Sequence, residues 1–113
     1  MMGRYILDGH TPVRCDDIMA WTQWFEQGDD VRRVGLDEND GGVRVSTVFL
    51  GLDHGFGRGE PVLFETMVFG GSHDGDQKRY ATWDEAVAGH HAKLIKVGIP
   101  ASACAQRRQE NVL

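Results

Sequence analysis

Apolar and polar side chains alternate along two stretches in the middle of the chain, residues 43–52 and 62–69. Alternation with a period of two is typical of β-strands, and both stretches carry apolar residues on both faces, as strands at the centre of a sheet do. Shorter apolar runs at residues 4–7 and 31–36 predict two further strands. The polar, glycine-containing segment 37–42 predicts a turn between antiparallel strands.

A first helix is predicted to begin at Asp16 or Asp17, because either carboxylate can cap it, and to end at Gly28. Apolar residues recur on one face of this helix at helical spacing. Trp24 lies off that face. The helix therefore either buries a wide face or leaves Trp24 exposed for a partner.

A second helix has the clearest local signature in the chain. Thr82 is followed three residues later by Glu85, which is the pattern of a capping box, and Gly98 ends the helix. The apolar face of this helix also carries His90. We predict a histidine packed in the core rather than a metal ligand, because the adjacent His91 points in another direction and cannot share an ion with it.

These elements predict an α+β fold, in which a small antiparallel sheet of about four strands packs with two helices in the order β-α-β-β-β-α. Residues 1–98 are predicted to form a single compact domain. Residues 99–113 are polar and read as a C-terminal tail or a short helix.

Charge is distributed unevenly over the 113 residues, whose net charge is -5. The first 77 residues carry six basic and fourteen acidic side chains, a balance of -8, and the last 36 carry six basic and three acidic, a balance of +3. An acidic body repels the phosphates of DNA or RNA, so a nucleic-acid polymer is not an expected partner. A small anionic ligand is compatible with this field, since a few local arginines can override it.

The chain shows no apolar run long enough to span a bilayer and no signal-peptide pattern, so we expect no membrane partner and a location in the cytoplasm of a host cell. Cys15 and Cys104 lack the spacing of metal ligands and are expected to be reduced thiols. The acidic turns lack the spacing of calcium loops. Neither a metal nor another cofactor is therefore predicted.

The connection between the two central strands, residues 51–60, contains four glycines in ten positions. Glycines let backbone amides approach a ligand closely, His54 and Arg58 can donate to an anion, and Phe56 offers a ring for stacking. The same glycines also suit a hairpin connection with no ligand. Sequence alone leaves both interpretations open.

Glu65 stands in the middle of an apolar strand, where an unpaired charge is costly. It is predicted either to form a structural ion pair, with Arg44 or a histidine, or to face a cleft as a functional acid; a solvated position at a sheet edge is a third reading. Glu65 with Asp53 and His54 would be the catalytic groups of a small hydrolase, although no nucleophile motif accompanies them.

No catalytic residue is assigned from sequence. The predicted ligand-binding residues are Arg44, Asp53, His54, Phe56, Arg58, Glu65 and Trp24. The exposed aromatic residues and the short sheet also favour association into a homodimer.

Four blocks of the chain, residues 5–10 (Tyr-Ile-Leu-Asp-Gly-His), 46–54, 64–70 and 80–90, resemble small proteins encoded by tailed phages and prophages. The resemblance spans about residues 4–98 and carries no catalytic motif, so it assigns no role to any residue.

The resemblance implies a phage accessory protein that antagonises host antiviral defence without being an enzyme. The most concrete form of this expectation is sequestration of a small nucleotide signal. Two alternatives stay open: the small hydrolase described above, and a protein-binding inhibitor that masks a host protein with its acidic surface. The acidic residues of that surface include Asp29, Asp30, Asp37 and Asp40.

Overall fold

The computed structural model describes residues 3–55 and 59–100. The described elements are β1 (Tyr5–Asp8), β2 (Thr11–Arg14), α1 (Ile18–Phe25), a 3-10 turn (Asp29–Val31), β3 (Arg33–Glu38), β4 (Arg44–Phe49), β5 (Phe64–Phe69), β6 (Gln77–Tyr80) and α2 (Trp83–Val97). The α+β class predicted from sequence is confirmed.

The strands form two antiparallel sheets. β1 and β2 make a two-stranded hairpin, and the remaining strands form a four-stranded sheet in the order β3-β4-β5-β6. The centre of the larger sheet is the pairing of β4 with β5, where Val45 faces Val68, Thr47 faces Thr66 and Phe49 faces Phe64. The two central strands predicted from the alternation are therefore neighbours, as expected.

Strand assignment differs from the prediction at two places. The first strand belongs to the separate hairpin rather than to the main sheet, and β2 was not predicted. The fourth strand of the main sheet is β6, which the sequence did not indicate. It has only one buried residue, Tyr80.

α2 covers one face of the larger sheet. Its inward residues Ala86, His90 and Leu94 follow one another at i, i+4 and i+8, and all three are buried. They lie against alternate residues of β4 and β5, so the interface consists of successive layers. The apolar core also includes Ile99, one residue beyond the predicted end of the domain.

Both helices have the predicted N-caps, but α1 ends at Phe25 with Glu26 as its C-cap, before the predicted Gly28. Asp17 accepts hydrogen bonds from the amides of Met19 and Ala20, and Thr82 with Glu85 forms the complete capping box of α2. Gly98 ends α2 with a φ of 79°, a left-handed conformation that favours glycine. The start and the end of α2 are thus fixed by local chemistry.

α1 anchors the hairpin to the sheet. The indole Nε1 of Trp21 donates to the backbone oxygens of Tyr5 and Gly51, both at 3.2 Å. The ring of Phe25 occupies the space that a side chain at Gly51 would fill. These contacts place α1 at the end of β4.

Among residues 3–55 and 59–100, neither helix has the length and apolar character required to cross a membrane.

Candidate functional site

A chain of polar side chains crosses the interface between α2 and the sheet. Nε2 of His90 lies 2.6 Å from Oδ2 of Asp37, and Nδ1 of the same ring lies 2.7 Å from Oγ1 of Thr47. The hydroxyls of Thr47 and Thr66 are in turn 2.5 Å apart. Because a carboxylate only accepts hydrogen bonds, His90 donates through Nε2 to Asp37. We call these four residues the polar layer.

The order carboxylate, imidazole, hydroxyl is that of a hydrolase triad. The polar layer is nevertheless closed: Thr47 and Thr66 are 0% exposed, and His90 and Asp37 are 2% and 3% exposed. A substrate cannot reach a hydroxyl in this position. The polar layer therefore connects β3, β4, β5 and α2 and does not act as a nucleophilic site.

His90 is a packed core residue, as the helical face predicted. Asp37 corrects the prediction of a turn over residues 37–42, because it belongs to β3 and is buried against His90. The turn proper begins at Asn39, whose side-chain oxygen accepts from the amides of Gly41 and Val43. From sequence alone, an acidic residue at the end of a strand cannot be told from one in the following turn. Here the contact of Asp37 with His90 on α2 shows that it belongs to the strand.

The face of the larger sheet opposite α2, which we call the open face, carries the functional candidate. Alternate residues of the strands point to it: Arg33, Leu36, Arg44, Ser46, Val48, Glu65, Met67, Phe69 and Arg79. α2 packs against the other face, and none of the main packing contacts between described elements covers the open face. Phe69 is 45% exposed there.

A recess of about 260 Å³ lies on the open face across β3, β4 and the end of β5. Arg32, Arg33 and Arg44 line it together with the apolar side chains of Leu36 and Val48. Phe69, which faces Arg44 across the strand pair, and Ser46 and Asp29 complete it. The recess thus combines three guanidinium groups, an apolar floor and an aromatic ring.

Each arginine of the recess already contacts an acidic side chain. Arg32 pairs with Asp29 at 2.5 Å, and Arg33 pairs with Asp30 at 3.0 Å. In both pairs the carboxylate is far more exposed than the arginine, at 79% and 90% against 29% and 35%. Exposed ion pairs contribute about 0–1 kcal/mol, so an anionic ligand can replace these carboxylates at low cost.

The third arginine, Arg44, is the one recess residue that was predicted from sequence. Its Nε lies 3.6 Å from Glu38. It does not pair with Glu65, whose partner is Arg79 at 2.9 Å on the neighbouring strand. The Glu65 side chain is 15% exposed, and the ion pair accounts for a charge in the middle of the strand.

The loop residues of the predicted site lie at the other end of β4. A six-residue strand separates its ends by roughly 17 Å, so Arg44 does not share a small ligand with Asp53 or His54. Oδ1 of Asp53 accepts from the amides of Gly55 and Val62 and closes the base of the loop. The backbone amide of His54 donates to the oxygen of Val62. Phe56 and Arg58 lie outside the described residues.

Trp24 is a packing residue in this structure. Its ring meets Phe49 edge-on at 5.6 Å and Phe25 at 5.3 Å, and it lies against the core that the hairpin and α2 share. Trp24 is therefore partly buried and not free for a partner, although α1 has no fully buried residue and so does not bury a wide face. The exposed apolar residues of this helix are Ile18 and Met19.

Sequence reasoning did not identify Arg32, Arg33 and Phe69 as parts of a site. A regular hairpin with the register that pairs Glu38 with Arg44 and Leu36 with Ser46 would place Arg33 opposite Phe49, on the face that α2 covers. The register shift between Arg33 and Gly35 instead places Arg33 opposite Val48, on the open face. The bulge near Arg33 and the position of Arg32 before the strand are not readable from the alternation.

Within the described ranges, no group of histidine, cysteine or acidic side chains is arranged to hold a metal ion. The chain matches no protein-family model, and neither a curated protein nor a solved structure shows significant similarity to it. The site must therefore be interpreted from its own chemistry.

Proposed function

We propose that the protein binds a small anionic ligand of the nucleotide class in the recess of the open face. The observation that carries the proposal is the convergence of Arg32, Arg33 and Arg44 around an apolar floor beside the exposed ring of Phe69. Guanidinium groups bind phosphate oxygens in pairs, and an aromatic ring stacks on a base.

The arginines of the recess are balanced by exposed carboxylates. Asp29, Asp30 and Glu38 pair with them, so the guanidinium groups become available when an anion displaces these exposed acids. A compact anion can do this locally, whereas the acidic remainder of a protein with a net charge of -5 repels a long polyanion.

The size of the recess limits the ligand. Sites for drug-sized molecules usually measure about 300–1,000 Å³, so 260 Å³ accommodates part of a mononucleotide-sized ligand. We expect the phosphate among the arginines and the base against Phe69, partly on the surface.

Sequestration of such a ligand is the activity that we propose, in the context that the phage resemblance implies: removal of a nucleotide signal from host defence. The context rests on the resemblance alone. The acidic-surface alternative has less support, since Asp37 is buried and Asp29 and Asp30 are bound to arginines. The hydrolase alternative has less support because Glu65 and Asp53 already have structural partners.

Isothermal titration of the purified protein with nucleoside mono- and diphosphates, the uncharged nucleosides and inorganic phosphate tests the proposal. Arg33→Ala and Arg44→Ala should each weaken nucleotide binding about tenfold, since a hydrogen bond to a charged group contributes roughly 1.5–3 kcal/mol. The matched control is Arg14→Ala, which removes an exposed arginine of the hairpin that is also paired with an acid.

Binding that is absent at millimolar nucleotide, or that Arg14→Ala weakens as much as the recess variants do, would contradict the proposal.

A further inference from the structure

A groove of about 550 Å³ runs between β6 and the flank of α2, on the opposite edge of the sheet from the recess. Small residues of α2, Ala88, Gly89 and Ala92, form its helical wall, and Lys78 and Tyr80 of β6 form the other. The groove is therefore a shallow channel that follows an edge strand.

The edge of β6 offers unpaired backbone groups. β6 is the last strand of the sheet, and no described strand pairs with its outer edge. The amide of Val68 donates to the oxygen of Asp76, in register with the β5-β6 pairing. By the alternation of an antiparallel ladder, the amides and carbonyls of Gln77 and Arg79 point away from β5. These groups are a template for one more strand.

The side chains beside this edge leave room for an added strand. Tyr80 lies under α2 because residue 89 is glycine: a Cβ there would stand 2.1 Å from the Tyr80 hydroxyl. Tyr80 is 8% exposed, and its hydroxyl has no hydrogen-bond partner among the described residues. A buried hydroxyl without a partner is costly, and a carbonyl brought into the groove can accept from it.

The charge at the free edge of β6 indicates what kind of segment would pair with it. Lys78 is exposed on the free edge, on the side of the groove, whereas Arg79 points to the open face and pairs there with Glu65. Two copies of β6 paired with each other would bring their Lys78 side chains close together, which disfavours a second copy of this chain as the occupant. Acidic side chains in an added strand would instead face Lys78 with opposite charge.

We propose that the edge of β6 and the groove beside it bind an extended acidic segment of a partner protein, which adds to the sheet as a fifth strand. Backbone hydrogen bonds to Gln77 and Arg79 give the affinity, and the small residues of α2 admit alternate side chains of the segment. The site is separate from the recess, so its occupation does not depend on the proposed ligand.

The test uses four peptides of six residues. One alternates Glu and Val, and a second has Lys in place of each Glu. The other two are the acidic peptide N-methylated on every second amide, one on the odd-numbered residues and one on the even-numbered residues. Fluorescence polarisation measures the affinities, and amide chemical shifts of the ¹⁵N-labelled protein locate the site. We expect the acidic peptide to bind at least tenfold more tightly than the basic one and to shift the amides of β6. We also expect one N-methylated register to lose at least tenfold in affinity and the other to bind normally.

Two variants probe the two walls of the groove. Lys78→Glu reverses the edge charge, and Ala88→Gln fills the channel from an exposed helix position; each should reduce the affinity at least tenfold. The matched control is Ile95→Gln, also at an exposed position of α2, which should bind as the unsubstituted protein does. Lys78→Glu decides the question if Ala88→Gln does not fold.

Several outcomes overturn the proposal: no binding of the acidic peptide at millimolar concentration, equal affinity for the basic peptide, indifference to N-methylation in both registers, or unchanged affinity in Lys78→Glu. Sedimentation analysis of the oligomeric state gives a further outcome that would overturn it. A dimer that Lys78→Glu or Ala88→Gln dissociates would identify a second copy of the chain as the occupant.

Discussion

Gly35 lies against the imidazole of His90, so closely that a Cβ placed on Gly35 would stand 2.9 Å from Nε2. Gly35 faces Thr47 across the β3-β4 pair, on the sheet face that α2 covers. The absence of a side chain at this position lets the ring of His90 approach the strand and reach Asp37. A glycine inside a strand here has a packing role and not a turn role.

Gly35→Ala should therefore destabilise the protein by about 1–3 kcal/mol, because the added methyl group forces the imidazole or the strand to move. Urea unfolding measures the change. The matched control is Gly41→Ala in the exposed turn, where the nearest atom to an added Cβ is the Asn39 oxygen at 3.4 Å, an ordinary contact. Equal effects of the two substitutions would show that the ring does not depend on Gly35.

Asp37→Ala should cost about 1–3 kcal/mol of the free energy of unfolding, because it leaves the buried Nε2 of His90 without its acceptor. The control is Asp40→Ala, which removes an exposed carboxylate from the turn and should change stability by less than about 0.5 kcal/mol. A loss below about 1 kcal/mol for Asp37→Ala would mean that water or another group replaces the carboxylate.

Stability at acidic pH should depend on Asp76. The hydrogen bond from Lys96, and then that from Lys93, lowers the pKa of the Asp76 carboxyl from 3.8 to about 2. A group with a lowered pKa in the folded state stabilises the protein above its unfolded pKa, and this contribution is lost as the pH falls from about 4 to about 2. Asp76→Asn should therefore be less stable than the unsubstituted protein at pH 5, and the difference should shrink towards pH 2.

Urea midpoints between pH 2 and pH 5 measure this effect, with Asp40→Asn as the control. The difference should also decrease in high salt, since Asp76 and Lys96 are partly exposed. A difference between Asp76→Asn and the parent protein that stays constant over this pH range would contradict the assignment.

A substitution at Phe69 distinguishes binding of the base from binding of the phosphate in the proposed ligand. If its exposed ring stacks on a base, Phe69→Ala should weaken nucleotide binding about tenfold or more, since such stacking contributes about 1–3 kcal/mol, and should leave the affinity for inorganic phosphate unchanged. Ile95→Ala removes an exposed apolar side chain elsewhere and serves as the control in the same titrations. An equal loss for phosphate and nucleotide would place the base away from Phe69.

Much of the fold was predictable from local patterns. Both helices, with their caps at Asp17 and Thr82, follow from short-range chemistry, and the central strands follow from alternation. β2 was missed because Pro12 argues against a strand, although a two-stranded hairpin tolerates it. β6 was missed because its sequence, Gln-Lys-Arg-Tyr, is polar on the edge of the sheet and shows no apolar face.

The candidate site was less predictable, because it depends on register. Arg44 was identified, but Arg33 and Arg32 come from β3 and from the 3-10 turn before it. Arg33 reaches the open face only through the register shift between Arg33 and Gly35, which no motif in the sequence shows. Residues 51–60 were predicted as a binding loop from their glycine-rich composition. In the structure, the side chain of Asp53 accepts hydrogen bonds from the backbone amides of Gly55 and Val62 and so organises the described part of the loop.

The polar layer also determines where α2 sits along the sheet. Apolar residues lie on either side of it, Phe49 and Phe64 towards one end and Val45 and Val68 towards the other. A shift of α2 by one turn, about 5.4 Å, would put Ala86 or Leu94 over the threonines and leave His90 among apolar side chains. Each such shift would leave several buried polar groups without hydrogen-bond partners, which is costly. In an all-apolar interface the same shifts would cost little. The four polar residues thus fix the position of α2 along the sheet.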